Sequence, residues 1–242
     1  MADTTEGGGL PDVLAQIDPH APLIVSAWGR KGSGKSTFNR RLFRSWPGDK
    51  LAIDVNGNAD PGDDAQPIGL PLPGKFPESV PGLGERRGPV SLYYRAHPGS
   101  PTYRDDLDRA VGLALYPQAH RTCLWAGEVG EITPHGRSGP HMRTLLMQNR
   151  HYNVTALFDG PRPAHVDPLI YAQSDLVAVY HLPNPDDREK LAKGMGYPVK
   201  RFHDECAETF RRGKWWFLLW HAEAHQLYRM APLPTDEEAA AA

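Results

Sequence analysis

The feature that most restricts how this 242-residue chain can fold is a glycine-rich segment that starts at residue 29. It matches G-x-x-x-x-G-K-[S/T] at every fixed position and consists of Gly29-Arg30-Lys31-Gly32-Ser33-Gly34-Lys35-Ser36. The apolar run 23–28 predicts a buried strand before it, and residues 36–44 predict a helix after it, with Phe38 and Leu42 on one face. A strand, a glycine-rich turn and a helix in this order predict a phosphate-binding loop.

The residue types in this loop suit the recognition of a nucleoside triphosphate. Glycines let backbone N–H groups face a β-phosphate, and the N-terminus of the helix adds its positive end. We expect the Lys35 ammonium at the β- and γ-phosphates and the Ser36 hydroxyl at Mg²⁺. The predicted nucleotide-binding set is therefore Gly29, Arg30, Lys31, Gly32, Ser33, Gly34, Lys35, Ser36 and Thr37.

Apolar runs and amphipathic segments alternate along the rest of the chain. Strands are predicted at 51–53, 90–94, 122–126, 154–158 and 175–182, and helices at 102–116, 139–150, 187–195 and 199–212. Residues 215–220 and 226–230 are predicted to form a C-terminal β-hairpin. This alternation favours a single α/β domain in which helices flank a mainly parallel sheet.

The composition changes along the chain and predicts one domain with two tails. Gly and Pro, with 24 residues each, are concentrated in the region 56–88, which predicts a loop insertion. We expect a flexible N-terminal arm at 1–20, the α/β domain with its insertion at 21–233, and an acidic, Ala-rich tail at 234–242.

Charge and cysteine content exclude several classes of protein. The formal net charge is −2, but without the five acidic residues of the tails 27 basic residues face 24 acidic ones, which permits nucleic acid as a partner. Two cysteines are too few for a disulfide scaffold or a cysteine-based zinc site. The sequence lacks an apolar run of membrane-spanning length and a signal-peptide pattern at its start. We therefore expect a cytoplasmic protein without membrane insertion.

Two acidic positions compete for a role beside the phosphate loop. Asp54 begins a D-x-x-G pattern, which GTPases use near the γ-phosphate, but only 17 residues separate it from Ser36, and the sequence lacks the Asn-Lys-x-Asp guanine motif. Glu128 follows the apolar run 122–126, at the position where an ATPase holds the group that orients the attacking water. We favour Glu128 as the catalytic carboxylate and, with Ser36, as a metal ligand. The alternative is an exposed carboxylate just past a strand.

In their order and spacing, these segments resemble the HerA–FtsK superfamily of DNA-pumping ATPases, which includes viral genome-packaging ATPases. The resemblance spans about residues 22–230. It rests on the phosphate loop, the strand that ends at Asp54, residues 128–134, the helix end Gln148-Asn149-Arg150-His151, the segment Pro161-Arg162-Pro163, and residues 175–188.

The resemblance implies a P-loop NTPase fold of the additional-strand ATPase type, with ATP and Mg²⁺ as ligands. It implies an ATPase motor that translocates double-stranded DNA as a homo-oligomeric, hexameric ring, in genome packaging or DNA transfer. A capsid, portal or DNA-transfer protein would be its partner, and a viral protein would act in the host cytoplasm or the virion. Arg150 would complete the site of a neighbouring subunit; the alternative is an arginine that complements the dipole of its own helix.

Two positions depart from the pattern of this superfamily. The acidic pair expected after the third motif strand is Gly127-Glu128, and Pro161 stands where a glutamine sensor is usual. Asp159 is a candidate substitute for the sensor, and Asp54 or Glu131 for the missing carboxylate. These departures leave two alternatives open, an ATP-dependent switch or scaffold with little hydrolysis and a small-molecule kinase.

Three tryptophans near the C-terminus, Trp215, Trp216 and Trp220, can either stack on nucleic-acid bases or lie in a buried strand. Because the apolar residues 217–219 stand between them, we favour the buried strand.

Overall fold

The computed structural model describes residues 4–6, 10–14, 21–57, 59–70, 88–116, 120–133 and 136–234. Its strands are β1 (Thr5–Glu6), β2 (Ile24–Trp28), β3 (Asp49–Asp54), β4 (Gln66–Pro67), β5 (Ser91–Arg95), β6 (Thr122–Ala126), β7 (Val154–Gly160), β8 (Leu176–Val179), β9 (Phe217–His221) and β10 (Gln226–Met230). Its helices are α1 (Leu10–Leu14), α2 (Lys35–Arg44), α3 (Tyr103–Leu113), α4 (Val129–Ile132), α5 (Pro140–Gln148), α6 (Leu169–Ala172), α7 (Pro185–Gly194) and α8 (Val199–Arg212). A short 3₁₀ turn, Pro163–His165, follows β7.

The strands of the described residues form one sheet in the order β1-β10-β9-β8-β2-β7-β6-β3-β5-β4. The central strands β8, β2, β7, β6, β3 and β5 run parallel, and β9 is antiparallel to both β8 and β10. Strand β7 lies between β2 and β6, so the strand before the phosphate loop is separated from the strand before Glu128. This inserted strand defines the additional-strand type, and both the mainly parallel sheet and the C-terminal hairpin predicted from the sequence are confirmed.

Alternate side chains of the central strands enter two hydrophobic cores, one on each face of the sheet. Ile24 and Trp28 of β2 belong to one core, and Val25 and Ala27 to the other. Helices α3, α5, α7 and α8 cover the first face, whereas α1 and α2 cover the second. Because helices cover both faces, the central strands bury side chains on both faces instead of alternating between buried and exposed positions. All seven residues of β7, for example, are buried.

The predicted N-terminal arm contacts the domain wherever the structure describes it. β1 pairs in parallel with β10, and Leu10 and Val13 of α1 are buried in the second core. Glu6 of β1 also makes ion pairs with Arg212 and Arg229. Residues 4–6 and 10–14 of the predicted arm are therefore packed against the domain through strand pairing, ion pairs and buried apolar side chains.

The predicted insertion at 56–88 lies partly outside the described residues, which omit 58 and 71–87. The part that is described contains β4, which adds a short strand next to β5 at the edge of the sheet. Asp60 pairs with Arg40 and Arg44 of α2, so the start of the insertion is fixed to the helix after the phosphate loop. Of the predicted C-terminal tail only Pro234 is described, and residues 235–242 are not.

The tryptophan cluster divides between two environments. Trp220 is buried within β9, as predicted, but this strand begins at Phe217, and Trp215 is 53% exposed. The prediction of a buried strand is therefore wrong for Trp215 and Trp216. Residues 213–216 form a turn before β9, in which the N–H of Trp216 donates to the carbonyl of Gly213.

None of the helices in the described part of the chain has the length and apolar composition that a membrane crossing requires.

Candidate nucleotide site

The phosphate loop connects the end of β2 at Trp28 to the start of α2 at Lys35, as the sequence predicted. Gly34 has a φ of 108°, in the left-handed region that disfavours a side chain. A β-carbon on Gly29 would lie 2.6 Å from Ser33 Oγ and 2.7 Å from Tyr180 Cβ, which is closer than atoms of these types can approach. Both glycines are therefore required by the path of the loop.

Backbone hydrogen bonds anchor the loop to two neighbouring strand ends. The N–H of Gly29 donates to the carbonyl of Gly160, 3.3 Å away at the end of β7. The N–H of Arg30 donates to the carbonyl of His181, 3.1 Å away just after β8. The loop is thus anchored to the strands on both sides of β2.

The N-terminus of α2 is suited to bind an anion. Its N-cap, Gly34, supplies no side-chain hydrogen bond to the first turn, and that turn contains no acidic residue. The free N–H groups and the positive end of the helix dipole therefore remain available to a phosphate. The ten-residue helix carries Lys35, which is 6% exposed, followed by Ser36 and Thr37, which are exposed. Arg30 and Lys31 of the loop are exposed as well.

Glu128 lies just after β6 in a strained backbone conformation. Its φ of 50° and ψ of 48° are left-handed, which is uncommon for a residue with a side chain and is typical of functional sites. Burial raises the pKa of the Glu128 carboxyl, while the nearby charge of Lys35 lowers it. The carboxylate of Glu128 is thus within electrostatic reach of the phosphate-loop lysine, although the two residues are 93 positions apart in sequence.

Asp159, the penultimate residue of β7, contributes a second carboxylate from the strand between β2 and β6. It is 2% exposed. Trp125 Nε1 donates a hydrogen bond to Asp159 Oδ2 over 2.9 Å, and the Ser36 hydroxyl donates to Asp159 Oδ1 over 3.4 Å. Burial raises the pKa of Asp159, against the hydrogen bond from Trp125, the charge of Lys35, and hydrogen bonds from Asn39 and the backbone of Glu128.

The carboxylate of Asp159 lies beside Gly127. A β-carbon built on Gly127 would be 3.7 and 3.8 Å from the two carboxylate oxygens of Asp159. The acidic group that Gly127 lacks is therefore present at this point, but it comes from the next strand. Sequence reasoning connected Asp159 to the glutamine sensor, not to the missing acidic residue. The sequence signal for Asp159 was its position directly after the apolar run 154–158. Glu128 has a similar position, one residue beyond the end of the apolar run 122–126.

Ser36, Glu128 and Asp159 line one small pocket at the carboxyl edge of the sheet, with a volume of about 70 Å³. Asp54 also lines it, but its carboxylate already accepts hydrogen bonds from the N–H of Ala59 at 2.9 Å and from Arg95 Nε at 3.2 Å. Glu131 is exposed on α4 and is not part of the pocket lining. The sequence named Asp54 and Glu131 as candidates for the missing carboxylate, but it is Asp159, the candidate for the sensor, whose carboxylate contacts Ser36.

Arg150 lies at the opposite edge of the sheet from the phosphate loop. It follows α5 and precedes β7, and its side chain is 73% exposed. Its guanidinium lies 3.3 Å from Asp175, whose other oxygen accepts the N–H of Ile24 at the start of β2. The length of β2, roughly 13 Å for five residues, separates this edge from the loop. Arg150 therefore cannot reach the nucleotide site of its own chain.

Arg162, in the segment Pro161-Arg162-Pro163, is committed to a contact within the chain. Its Nε donates to Asp187 Oδ2 over 2.6 Å, and Asp187 is buried at the start of α7. The other oxygen of Asp187 accepts the N–H of Ala164. These contacts fix the turn after β7 onto α7, so the arginine is engaged in holding the fold.

No protein-family model matches the sequence, and no curated protein matches it. Among solved structures, the chain is similar to the genome-packaging NTPase B204 from Sulfolobus turreted icosahedral virus 2. In the complex with AMPPCP the identity is 15%, the TM-score is 0.66, and the match covers 90% of this chain and 100% of that chain. In the complex with AMP the identity is 16% and the TM-score 0.65, with the same coverage of both chains.

A further similar structure is B204, the DNA-packaging ATPase from Sulfolobus Turreted Icosahedral Virus. Its identity to this chain is 15% and the TM-score is 0.62, with 89% of this chain and 100% of that chain covered. The likeness extends over nearly the whole of both chains and shows that they have the same fold. The P-loop NTPase fold predicted from the sequence is thereby confirmed.

Proposed function

We propose that this chain, which has the fold of a viral genome-packaging NTPase, hydrolyses ATP and uses the energy to translocate double-stranded DNA. The observation that carries the proposal is the meeting of Lys35, Ser36, Glu128 and Asp159 at one edge of the sheet. These residues belong to three different strand–loop units, and together they offer a phosphate cradle, a metal ligand and a base.

Nucleotide binding begins at the phosphate loop. The N–H groups at the start of α2 donate to the β-phosphate, because the first turn has no acidic residue and no side-chain cap. The buried Lys35 ammonium contacts the β- and γ-phosphates, and its charge becomes paired when they bind. Arg30, Lys31 and Thr37 are exposed around this cradle and line its entrance.

Mg²⁺ fits the donors at the small pocket. Among the described residues, no three or more His, Cys, Asp and Glu side chains form a metal-binding group. Mg²⁺ binds in such sites through one or two protein oxygens together with substrate phosphates. The Ser36 hydroxyl and the Asp159 carboxylate, 3.4 Å apart, are oxygens of the required kind. Bound there, Mg²⁺ supplies positive charge to the oxygens of the β- and γ-phosphates.

Glu128 is suited to orient the attacking water. Burial raises its pKa, which brings its basicity closer to that needed by a group that accepts a proton near neutral pH. The water oxygen forms a bond to the γ-phosphorus while the bond to the β–γ bridging oxygen breaks, and the water proton moves to Glu128. Its left-handed backbone directs the side chain from the end of β6, and the hydrogen bond to Asp159 holds that backbone.

Arg150 supports an oligomeric form of this enzyme. Its guanidinium is exposed at the sheet edge opposite its own phosphate loop, so a catalytic role for Arg150 requires the site of a neighbouring subunit. In a ring that joins these opposite edges, Arg150 of one subunit stabilises charge on the γ-phosphate of the next. We propose a homo-oligomeric ring of hexameric size, through which the DNA passes.

The choice of double-stranded DNA and of a packaging role rests on the fold shared with B204 and on charge. Without its acidic tails the body of the chain has more basic than acidic residues, which does not repel a polyanion. A capsid or portal protein is the expected partner in packaging, and a transfer protein is the alternative. We expect the protein in the cytoplasm, or in the virion if it is viral.

A second function, an ATP-dependent switch with little hydrolysis, is favoured by Gly127 and Pro161, which replace an acidic residue and a sensor. A small-molecule kinase is less well supported. Such an enzyme needs an arginine-rich lid, whereas α8 packs under β9 with Phe202, Cys206 and Thr209 buried. This helix is part of the core and is not free to close over a substrate.

The test is steady-state ATP hydrolysis by the full chain, with and without linear double-stranded DNA. We expect turnover that DNA stimulates, that Lys35→Ala abolishes, and that Arg150→Ala reduces to the unstimulated rate. Binding of ATP without turnover under either condition would favour the switch. Transfer of the γ-phosphate to a metabolite, with no effect of DNA, would favour the kinase.

A further inference from the structure

Trp215 forms one wall of an apolar pocket that is separate from the Mg²⁺ pocket but shares the phosphate loop. The pocket has a volume of about 240 Å³, and its lining consists of Gly34, Thr37, Tyr180, Trp215, Leu233 and Pro234. None of these six residues carries a charge. Sites for drug-sized molecules measure about 300–1,000 Å³, so a cavity of this size suits one flat ring system rather than a whole nucleotide.

The floor of the pocket is rigid. Tyr180 stacks on Phe217, with ring centroids 4.7 Å apart and an angle of 19° between the ring planes. Phe217 in turn contacts Phe38 of α2 edge to face. A β-carbon on Gly34 would lie 3.0 Å from Tyr180 Cε1, so the tyrosine ring is packed directly against the loop. This aromatic stack joins the phosphate loop, β8 and β9 into one support.

The two walls are held by contacts to neighbouring side chains. The Lys214 ammonium lies 5.1 Å from the centroid of the Trp215 ring, a cation–π contact that limits the positions of the indole. The carbonyl of Pro234 accepts a hydrogen bond from Arg41 of α2, which fixes the segment after β10 near the loop. The pocket is therefore bounded by α2, by the turn before β9 and by the chain after β10.

We propose that this pocket binds the base of the nucleotide, with Trp215 as the ring on which the base stacks. The inference rests on the proposed function, because the phosphate loop must first hold the phosphates. Gly34 belongs to both the loop and the pocket, so a ligand anchored at α2 extends directly into the apolar space. An uncharged aromatic base matches an uncharged lining, and it covers an indole that is otherwise 53% exposed.

The inference predicts that Trp215 acts on the base and not on the phosphates. Stacking of a base on an aromatic ring is worth about 1–3 kcal/mol, so Trp215→Ala should weaken ADP binding by roughly 5- to 150-fold. Inorganic tripolyphosphate has no base, and its affinity should change by less than about 2-fold. Trp215→Phe retains an aromatic ring and should recover most of the lost ADP affinity.

Isothermal titration of the full chain with ADP and, separately, with tripolyphosphate measures both affinities. Trp216→Ala is the matched control, because this neighbour packs against Arg212 and does not line the pocket. Unchanged ADP affinity in Trp215→Ala would overturn the base site and leave the proposed function intact, as would equal losses for both ligands. Failure of the unaltered protein to bind either ligand would overturn both proposals.

Discussion

The two sides of the proposed nucleotide site differ in how they are assembled. The phosphate side comes from nine consecutive residues between the end of β2 and the first turn of α2. The acidic side combines Glu128, which follows β6, with Asp159 near the end of β7, and Trp125 and Asn39 hold Asp159 in place. The first side is local in sequence, whereas the second exists only because β7 is inserted between β2 and β6.

From this difference we expect topology to compensate for the departure from the sequence pattern at Gly127. In a parallel sheet the carboxyl ends of neighbouring strands lie at one edge. A carboxylate supplied by β7 instead of β6 therefore still lies near Ser36. The phosphate loop has no such freedom, because its glycines are required by close contacts such as that of Gly29 with Tyr180. We therefore expect variants of the acidic side to alter turnover and metal binding while nucleotide binding is preserved.

The largest effect is expected at Glu128. Glu128→Gln keeps the size of the side chain but cannot accept a proton from the attacking water, so kcat should fall by roughly 10²- to 10⁴-fold. The affinity for ATP should change by less than about 3-fold, since the phosphate loop is intact. Turnover and equilibrium binding, measured on the same preparation, check both values.

Glu131→Gln is the matched control for Glu128→Gln, because Glu131 is exposed on α4 outside the pocket. It should turn over ATP at close to the unaltered rate. A loss of turnover at Glu131 equal to that at Glu128 would show that the acidic side is assembled differently from the arrangement described above.

The next effect concerns Mg²⁺ at Asp159. Asp159→Asn removes the charge but retains an oxygen that accepts from Trp125, so the affinity for Mg²⁺ in the presence of ADP should fall by about 10- to 100-fold. Binding of ADP without metal should not weaken, because repulsion between carboxylate and phosphate is relieved. Titration of Mn²⁺ into the ADP complex, followed by electron paramagnetic resonance, measures the metal directly. Equal losses with and without metal would assign Asp159 a structural role alone.

An exchange of carboxylates tests whether Asp159 replaces the acidic residue missing at position 127. Gly127→Asp alone brings a second negative charge against Asp159 and should lower turnover. Combined with Asp159→Asn, the same substitution should restore Mn²⁺ affinity to within about 10-fold of the unaltered protein. Gly127→Ala is the control, because its methyl group would be 3.7 Å from the nearest atom and has room. Additive losses in the double variant would contradict the replacement.

The smallest effect is expected at a long-range contact outside the site. Hydrogen bonds from Arg229 and Arg212, together with their charges, outweigh desolvation and hold the pKa of Glu6 below its usual value of 4.5. Because the folded pKa is the lower one, the contact stabilises the protein above pH 4.5, and this stabilisation is lost as the pH falls through the folded pKa. Because the Glu6 side chain is 58% exposed, solvent screens its ion pairs. Glu6→Gln should therefore lower the free energy of unfolding by about 0.5 kcal/mol at pH 7.

Urea unfolding at pH 7 and at pH 3 measures the free-energy difference between the unaltered protein and Glu6→Gln. The difference should shrink at the lower pH, where Glu6 of the unaltered protein takes up a proton. A difference that is independent of pH would mean that the carboxylate charge does not contribute to the pairing of β1 with β10.

The sequence by itself determined the elements that depend on neighbours in the chain. The pattern from Gly29 to Ser36, an apolar run before it and an amphipathic helix after it specified the loop and its two flanking elements. The mainly parallel sheet and the hairpin followed from alternating apolar runs, since strand and helix periodicities are local properties. Glu128 was likewise predicted from the sequence, as an acidic residue that follows an apolar strand.

Only the tertiary structure decided which remote residues meet. Strand order brought Asp159 to Gly127 and Ser36, although 123 positions separate Asp159 from Ser36. It put Arg150 at the edge away from its own loop, and it left Trp215 exposed beside Gly34 instead of in the predicted buried strand. The physical reason is that side-chain burial and strand neighbours are set by the packing of the whole sheet, which the periodicity of one segment does not contain.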